Sequence, residues 1–383
     1  MSVLATALER APSATLAQLR QLRAVLAALA ILAGGMALLV SWEEHADVVA
    51  AGTHTATAVI QTYAAAQALT DADSQAVQNV PQGAGPPGQY QADIAAGEQS
   101  LEQVAENNTA GASGTQSLQL IEGLIPAYTG LVEQADTRFS VQAGTGNGVG
   151  VEDLWSASEL MHQEILAGQN SLASLRTSEQ DTLDSQRSSP WVSPWLNALW
   201  IIPALALLGM LAATQRFLYR RMRRLLSKYL TLTAAAVIAL CVTTSHVIVS
   251  EHAFSVTSGP LATVLTLQDW QTYSTDEHGQ TMLVHLIGST CAQCSAEQAV
   301  ADMIVDADGN QVQMAEATVQ RTCGAQGDIP GCITDQERSY SADAARAQSG
   351  YGTSMAFIAV LTVLLLLLIP LGLRRYLDEY RQA

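Results

Sequence analysis

No phosphate-binding glycine loop, nucleophile elbow, zinc-protease helix or kinase signature occurs in the 383 residues. Each of those motifs sets a reactive or phosphate-cradling group at a fixed spacing, so their joint absence points away from enzymes. Charge is scarce, at 14% of residues, and lysine is almost missing: every cation but Lys228 is arginine. Cysteine is rare as well, with 5 in the chain.

Where charge is missing, apolar residues run on. Four stretches are long enough for helices that cross a bilayer, which takes about 20 mostly apolar residues. They are 24–42, 195–213, 229–249 and 355–373, the last holding five consecutive leucines from Leu364 to Leu368. Pro203 and Pro370 are tolerable inside such helices, where neighbouring groups satisfy the freed carbonyl. The first run is longer than a signal peptide's apolar region and begins after 23 residues, so it reads as an uncleaved anchor.

The few charges are distributed unevenly. Segments 1–23, 214–228 and 374–383 hold 12 of the 18 cations and three acids, a sum of +9. Segments 43–194 and 250–354 hold six arginines and 32 acids, a sum of −26. Lysine and arginine favour the cytoplasmic side of short loops. The expectation is a multi-pass plasma-membrane protein with both termini and the 214–228 loop inside. The acidic balance belongs to the outside segments, and no nucleic-acid partner is expected. The three inside segments total about 48 residues, too few for an independently folding catalytic domain. Any signal must therefore pass to a partner.

Segment 43–194 reads as a four-helix bundle. Val49, Ala56, Val59, Tyr63 and Ala66 form one seam, ended by the Pro81 to Gly88 break. Tyr90, Ile94, Gly97, Leu101 and Val104 form the second; Ile121, Ile125, Tyr128, Val132, Ala135 and Phe139 the third, with a kink at Pro126; Leu154, Ser158, Met161, Ile165, Gly168, Leu172 and Leu175 the fourth. Alternating spacings of 3 and 4 keep such side chains on one face, as in helical bundles. Segment 250–354 reads as mostly helical, with helices over 261–273 and 280–287 after a break at Gly259-Pro260. A capping box at Ser295 to Gln298 leads into another. The fold class is thus all-α: four membrane helices, an outside four-helix bundle and a second, disulfide-stapled outside domain.

Cys241 lies in the third apolar run as a small filler. Cys291, Cys294, Cys323 and Cys332 lie in the second outside segment, where an oxidising compartment suggests two disulfides of open pairing. Cys291-Ala-Gln-Cys294 at a helix start could instead be a redox dithiol. Such a pair resembles, loosely, that of membrane thiol oxidases, although the strand–helix–strand setting of a thioredoxin site is absent. Zinc is disfavoured by the wide Cys323–Cys332 spacing. Asp306-Ala-Asp308-Gly309 lacks a middle calcium ligand and has Glu316 one position late, so it reads as a turn. No metal and no cofactor is expected. His246, near the outer end of the third run, is the one ionisable side chain in the four stretches besides terminal positions, and its place suits an interfacial histidine better than a transport path. The basic run Arg216, Arg220, Arg221, Arg223, Arg224 and Lys228 orients the chain, contacts anionic lipid and is a candidate dock for a cytoplasmic partner.

In layout, 43–194 resembles the four-helix sensor bundle of chemoreceptors, without their long cytoplasmic signalling hairpin. The whole layout of four spans and two outside domains, with an Ala-rich, Lys-poor composition, resembles the GlnX-type membrane proteins of actinobacteria. That resemblance implies an amino-acid-binding lipoprotein as outside partner and a soluble serine/threonine kinase as inside partner. It rests on span number, loop order and loop size, so it carries no residue roles. The functional expectation is a non-enzymatic sensor or adaptor, able to form a homodimer, that relays an outside binding event to the kinase. The alternatives are a thiol–disulfide protein using Cys291 and Cys294, and an envelope scaffold.

Overall fold

The computed structural model describes residues 2–83, 86–141, 148–187, 201–222, 228–256, 258–290, 309–324, 328–349 and 351–382. Among the described residues the fold is all helical, with no strand. In chain order the helices are α1 (Ser2–Val49), α2 (Ala56–Asn79), α3 (Gly88–Asn107), α4 (Gly111–Val141), α5 (Gly148–Glu159), α6 (Leu172–Arg187), α7 (Ile201–Met222), α8 (Lys228–Val256), α9 (Ser258–Thr290), α10 (Gly309–Cys323), α11 (Ile329–Ser349) and α12 (Tyr351–Gln382). Two π-helical turns, Ala50–Thr55 and Leu160–Leu166, precede α2 and follow α5.

The helices gather into two compact units. The first takes 1–49, 187–256 and 345–383. Its interior is built from small and branched apolar side chains: Leu26, Ala30 and Ala37 of α1, Leu207 and Leu211 of α7, Val237 and Leu240 of α8, and Ile358, Leu365 and Ile369 of α12. Close approach is enforced at Gly34, where an added Cβ would sit 2.3 Å from Thr362 Cγ2 of α12. Small residues at a helix contact let backbones come together, the usual device of helix packing in lipid. Large apolar side chains also point outward on all four helices: Leu39 is 62% exposed, Ile202 63%, Val242 62% and Val360 62%. Two segments are long and apolar enough to cross a membrane, Gln21–Glu43 and Thr353–Leu371. Ile201–Arg216 and Thr231–His246 are apolar but shorter. The expected second span begins at Trp195, and residues 188–200 lie outside the described residues.

The second unit takes 50–186 and 257–344. The seams read from spacing face inward: Tyr90, Ile94, Gly97, Leu101 and Val104 of α3 are buried, as are Ile121, Ile125, Tyr128, Val132 and Ala135 of α4. They meet Leu69, Ala72, Ala76 and Val77 of α2, Leu154 of α5, and Leu172 and Leu175 of α6. Leu283 and Ile287 of α9 belong to the same apolar cluster. The two long acidic segments of the sequence therefore contribute to one core.

Two local expectations are corrected. The anticipated interruption between 273 and 280 is absent, and α9 runs from Ser258 to Thr290. Gly279 does not break the helix; it admits α2, whose Ser74 would lie 3.3 Å from an added Cβ. The helix expected over 154–175 is broken instead. The π-turn Leu160–Leu166 closes with Ala167 N–H donating to the His162 carbonyl, and the Ser171 hydroxyl accepts from Ser174 N–H to start α6. Pro126 sits inside α4, which remains one helix from Gly111 to Val141.

Of the cysteines, Cys323 and Cys332 form a disulfide that joins the end of α10 to the first turn of α11. The chain turns between them at Gly324, whose φ of +80° is in the left-handed region. Cys291 and Cys294 lie outside the described residues, as do the Ser295–Gln298 box, Asp306 and Asp308.

Candidate functional site

α2 is largely Ala, Thr and Gln, and its inner face follows Leu69, Ala72 and Ala76. Asp73 falls on that face, one turn beyond Leu69, and is 4% exposed. A carboxylate removed from water must be bonded or paired, or it becomes neutral. Three elements supply its partners. The Tyr128 hydroxyl of α4 donates to Oδ1 at 3.0 Å, and the Ser158 hydroxyl of α5 donates to Oδ2 at 2.8 Å. His162, in the π-turn, places Nδ1 3.9 Å from Oδ2.

His162 is itself buried, at 3% exposed. Its Nδ1 lies 2.7 Å from the Ser158 carbonyl, and its Nε2 lies 2.6 Å from Asp276 Oδ1 of α9. Both neighbours are acceptors, so both ring nitrogens must carry hydrogen and the ring is an imidazolium. Gln280, one turn along α9 from Asp276, has its amide nitrogen 2.9 Å from His162 Nε2 and leaves Oε1 buried without a partner.

Burial alone would push the His162 ring down. The bond to Asp276, the charges of Asp73 and Asp276 and the Ser158 carbonyl outweigh burial and hold it up at about 9. Burial pushes the Asp73 carboxyl up, and the imidazolium, Ser158 and Tyr128 counter that push. Tyr90 of α3 closes the cluster, its ring 6.4 Å from that of Tyr128. Its buried hydroxyl has no partner among the described residues.

The arrangement contains a serine, a histidine and aspartates, yet it is not a nucleophilic triad. The Ser158 hydroxyl gives its proton to Asp73, and Ser158 is 1% exposed, closed to substrate. What the cluster can do is hold elements in register. It ties α2, α4, α5 and the π-turn to α9 through charges that cannot be replaced by water.

A second buried carboxylate fixes the start of α4. Glu179 of α6, fully buried, accepts from Thr109 N–H and Ala110 N–H at 3.0 Å each, and from the Thr109 hydroxyl. The Thr109 oxygen is also 3.1 Å from Thr55 Oγ1, in the π-turn before α2. Negative charge at a helix start meets unsatisfied N–H groups and the positive end of the helix dipole. Glu179→Ala is expected to lower stability by about 1–3 kcal/mol. It should also speed hydrogen exchange at Thr109 and Ala110, with Glu179→Gln milder because one acceptor remains.

Residues 47–188 match the family model of the actinobacterial sensor domain. No curated protein and no solved structure matches the chain. The match contains Asp73, Tyr90, Tyr128, Ser158, His162 and Glu179, and it ends well before α9. Asp276 and Gln280 therefore complete the buried cluster from outside the matched residues.

The residues singled out from sequence are elsewhere. Arg216 is exposed on α7, Arg220 and Arg221 lie near its end, Lys228 begins α8, and Arg223 and Arg224 are outside the described residues. His246 is exposed on α8. None of the described ones enters the buried cluster. Among the described residues no group of histidine, cysteine and acids could hold a metal ion. Ser158 was visible as a polar intruder in an apolar seam, four residues from His162. Nothing comparable marks Asp73 or Asp276, because each needs a partner distant in sequence.

Proposed function

We propose that the chain is a non-enzymatic transmembrane sensor or adaptor, which reads a binding event outside the cell and passes it to a cytoplasmic serine/threonine kinase. The observation that carries this reading is the match of 47–188 to a sensor domain, beside a unit of apolar helices. The outside event is the docking of a loaded solute-binding lipoprotein of amino-acid type.

Packing supports the four-span arrangement. The α9 helix shares a core with α2 to α6, which supports putting residues 50–186 and 257–344 on one side of a bilayer. Between them the chain must cross an even number of times, so α7 and α8 both span or neither does. Ile202 and Leu205 of α7 and Leu232, Ile238 and Val242 of α8 are all more than half exposed. Such outward apolar surface on both helices fits lipid and not water. With the cationic segments inside, both termini and the 214–228 loop are cytoplasmic, in a plasma-membrane protein able to pair as a homodimer.

The acidic balance of segments 43–194 and 250–354 favours a protein as the primary ligand. In the sensor segment Arg138 is paired with Asp153 at 2.9 Å and Arg176 with Asp269 at 2.8 Å. The basic residues Arg216, Arg220, Arg221, Arg223, Arg224 and Lys228 form the dock for the kinase and for anionic lipid. Affinity purification from detergent-solubilised native membranes tests this reading. Recovery of a solute-binding lipoprotein together with a serine/threonine kinase, the kinase lost when the loop arginines become glutamine, is the expected result. Recovery of thiol–disulfide proteins or of envelope proteins alone contradicts it.

A further inference from the structure

Arg176 is one of three cations in the acidic segment 43–194, and its surroundings are more elaborate than a surface ion pair needs. The guanidinium of Arg176, on α6, lies over the Tyr63 ring of α2, 4.7 Å from the centroid. Stacking on an aromatic face fixes the plane of the fork. The Gln180 amide, one turn further along α6, donates to the Tyr63 oxygen at 3.0 Å. That bond occupies an acceptor site and leaves the Tyr63 O–H free to donate. A stacked guanidinium and an aimed hydroxyl, side by side, are complementary to the two oxygens of a carboxylate.

The carboxylate present is that of Asp269, supplied by α9. It is poorly seated. Arg176 Nη1 donates to Oδ1 at a good 2.8 Å, while the Tyr63 hydroxyl is 3.5 Å from Oδ2, at the limit of a hydrogen bond. Asp269 is carried on a helix that is also held through Asp276 and Leu283. Its side chain is 50% exposed and that of Arg176 36%, so solvent reaches the pair. Burial of the rest pushes the Asp269 carboxyl up, and Arg176 only partly counters this.

We propose that Arg176, Tyr63 and Gln180 form a recognition site for the carboxylate of a small solute, held in the present state by Asp269 as a built-in competitor. A free carboxylate is not bound to a helix and can meet both donors at good distance. Its entry displaces Asp269 and removes one tie between α9 and the sensor segment. Asp269 and Asp276 are seven residues apart, two turns on one face of α9. One tie is open to solvent and exchangeable; the other, at His162, is sealed. This gives the sensor reading a second input, and it rests on that reading.

The test uses the full chain in lipid nanodiscs at neutral pH, titrated with sodium acetate against sodium chloride at equal ionic strength. Fluorescence of Trp270, next to Asp269 and 6.3 Å from Tyr273, reports the change. Removing the competitor, as Asp269→Ala or the isosteric Asp269→Asn, is expected to lower the acetate half-point roughly tenfold relative to the unaltered chain. Adding Arg176→Gln to either variant is expected to abolish the saturable response, with helical content unchanged by circular dichroism. Equal half-points with and without Asp269, a response that survives loss of Arg176, or no saturable response in any form would each overturn the proposal. Because the assay contains no partner protein, its failure removes this site and leaves the relay to be judged by the purification above.

Discussion

His162→Ala is expected to destabilise the second unit by about 3–5 kcal/mol, the range for removing one partner of a buried charge pair. The loss has two parts. The α9 helix loses its charge-assisted bond from Asp276, and Asp73 is left buried with only Tyr128 and Ser158 as donors. The second part identifies the mechanism. Adding Asp73→Asn to His162→Ala removes the stranded charge and is expected to recover at least 1 kcal/mol, a non-additivity of the size seen for residues in one network. Denaturant unfolding of the full chain in detergent, followed by near-ultraviolet signals from Tyr90 and Tyr128, gives the four free energies. Strict additivity of the two substitutions would show that the pair is not electrostatically coupled.

Stability is also expected to fall on the alkaline side. The His162 ring is held at about 9 in the folded chain against 6.5 for an ordinary histidine. A proton held more tightly in the folded state stabilises fully below the unfolded value and is lost as pH rises through the folded one. The contribution is therefore complete below pH ~6.5 and gone above pH ~9, and amounts to about 3 kcal/mol across that window. Asp73 titrates in the same direction at lower pH: raised by burial, it favours the folded state when protonated and loses that preference as pH climbs from the ordinary carboxylate range. The histidine window is isolated by comparing the chain with its His162→Gln variant between pH 6.5 and 9, below the ionisation of unfolded tyrosine. The unaltered chain should show the downward slope and the variant should not. Parallel curves would contradict a protonated His162 in the fold.

Local pattern was legible in the sequence, and long-range pairing was not. The seams through Tyr90 to Val104 and Ile121 to Ala135 were readable because helical burial repeats every three or four residues. The join of the two acidic segments was hidden, because no periodicity in 258–290 shows that Leu283 and Ile287 enter a core begun two hundred residues earlier. The same holds for the site. Asp73 and Asp276 look like any solvated acid until the fold places them around His162, and Gly279 looks like a helix breaker until Ser74 is found against it. The π-turn at Leu160–Leu166 was missed for a different reason. The apolar spacing of Met161 and Ile165 is the same as in an unbroken helix, so it carries no sign of the turn. Cysteine pairing was left open by sequence, and the structure joins Cys323 to Cys332, whose Cα atoms are 5.8 Å apart.

The proposal tested most directly is that residues 50–186 and 257–344, which share one core, lie on the same, outer side of a membrane. Epitope tags placed within 142–147, within 325–327 and at the C-terminus test it directly, by antibody binding to intact and permeabilised cells. The account predicts that both internal tags bind antibody on intact cells, while the C-terminal tag does so only after permeabilisation. Internal tags on opposite sides of the membrane would contradict it, because α9 could not then share a core with α2.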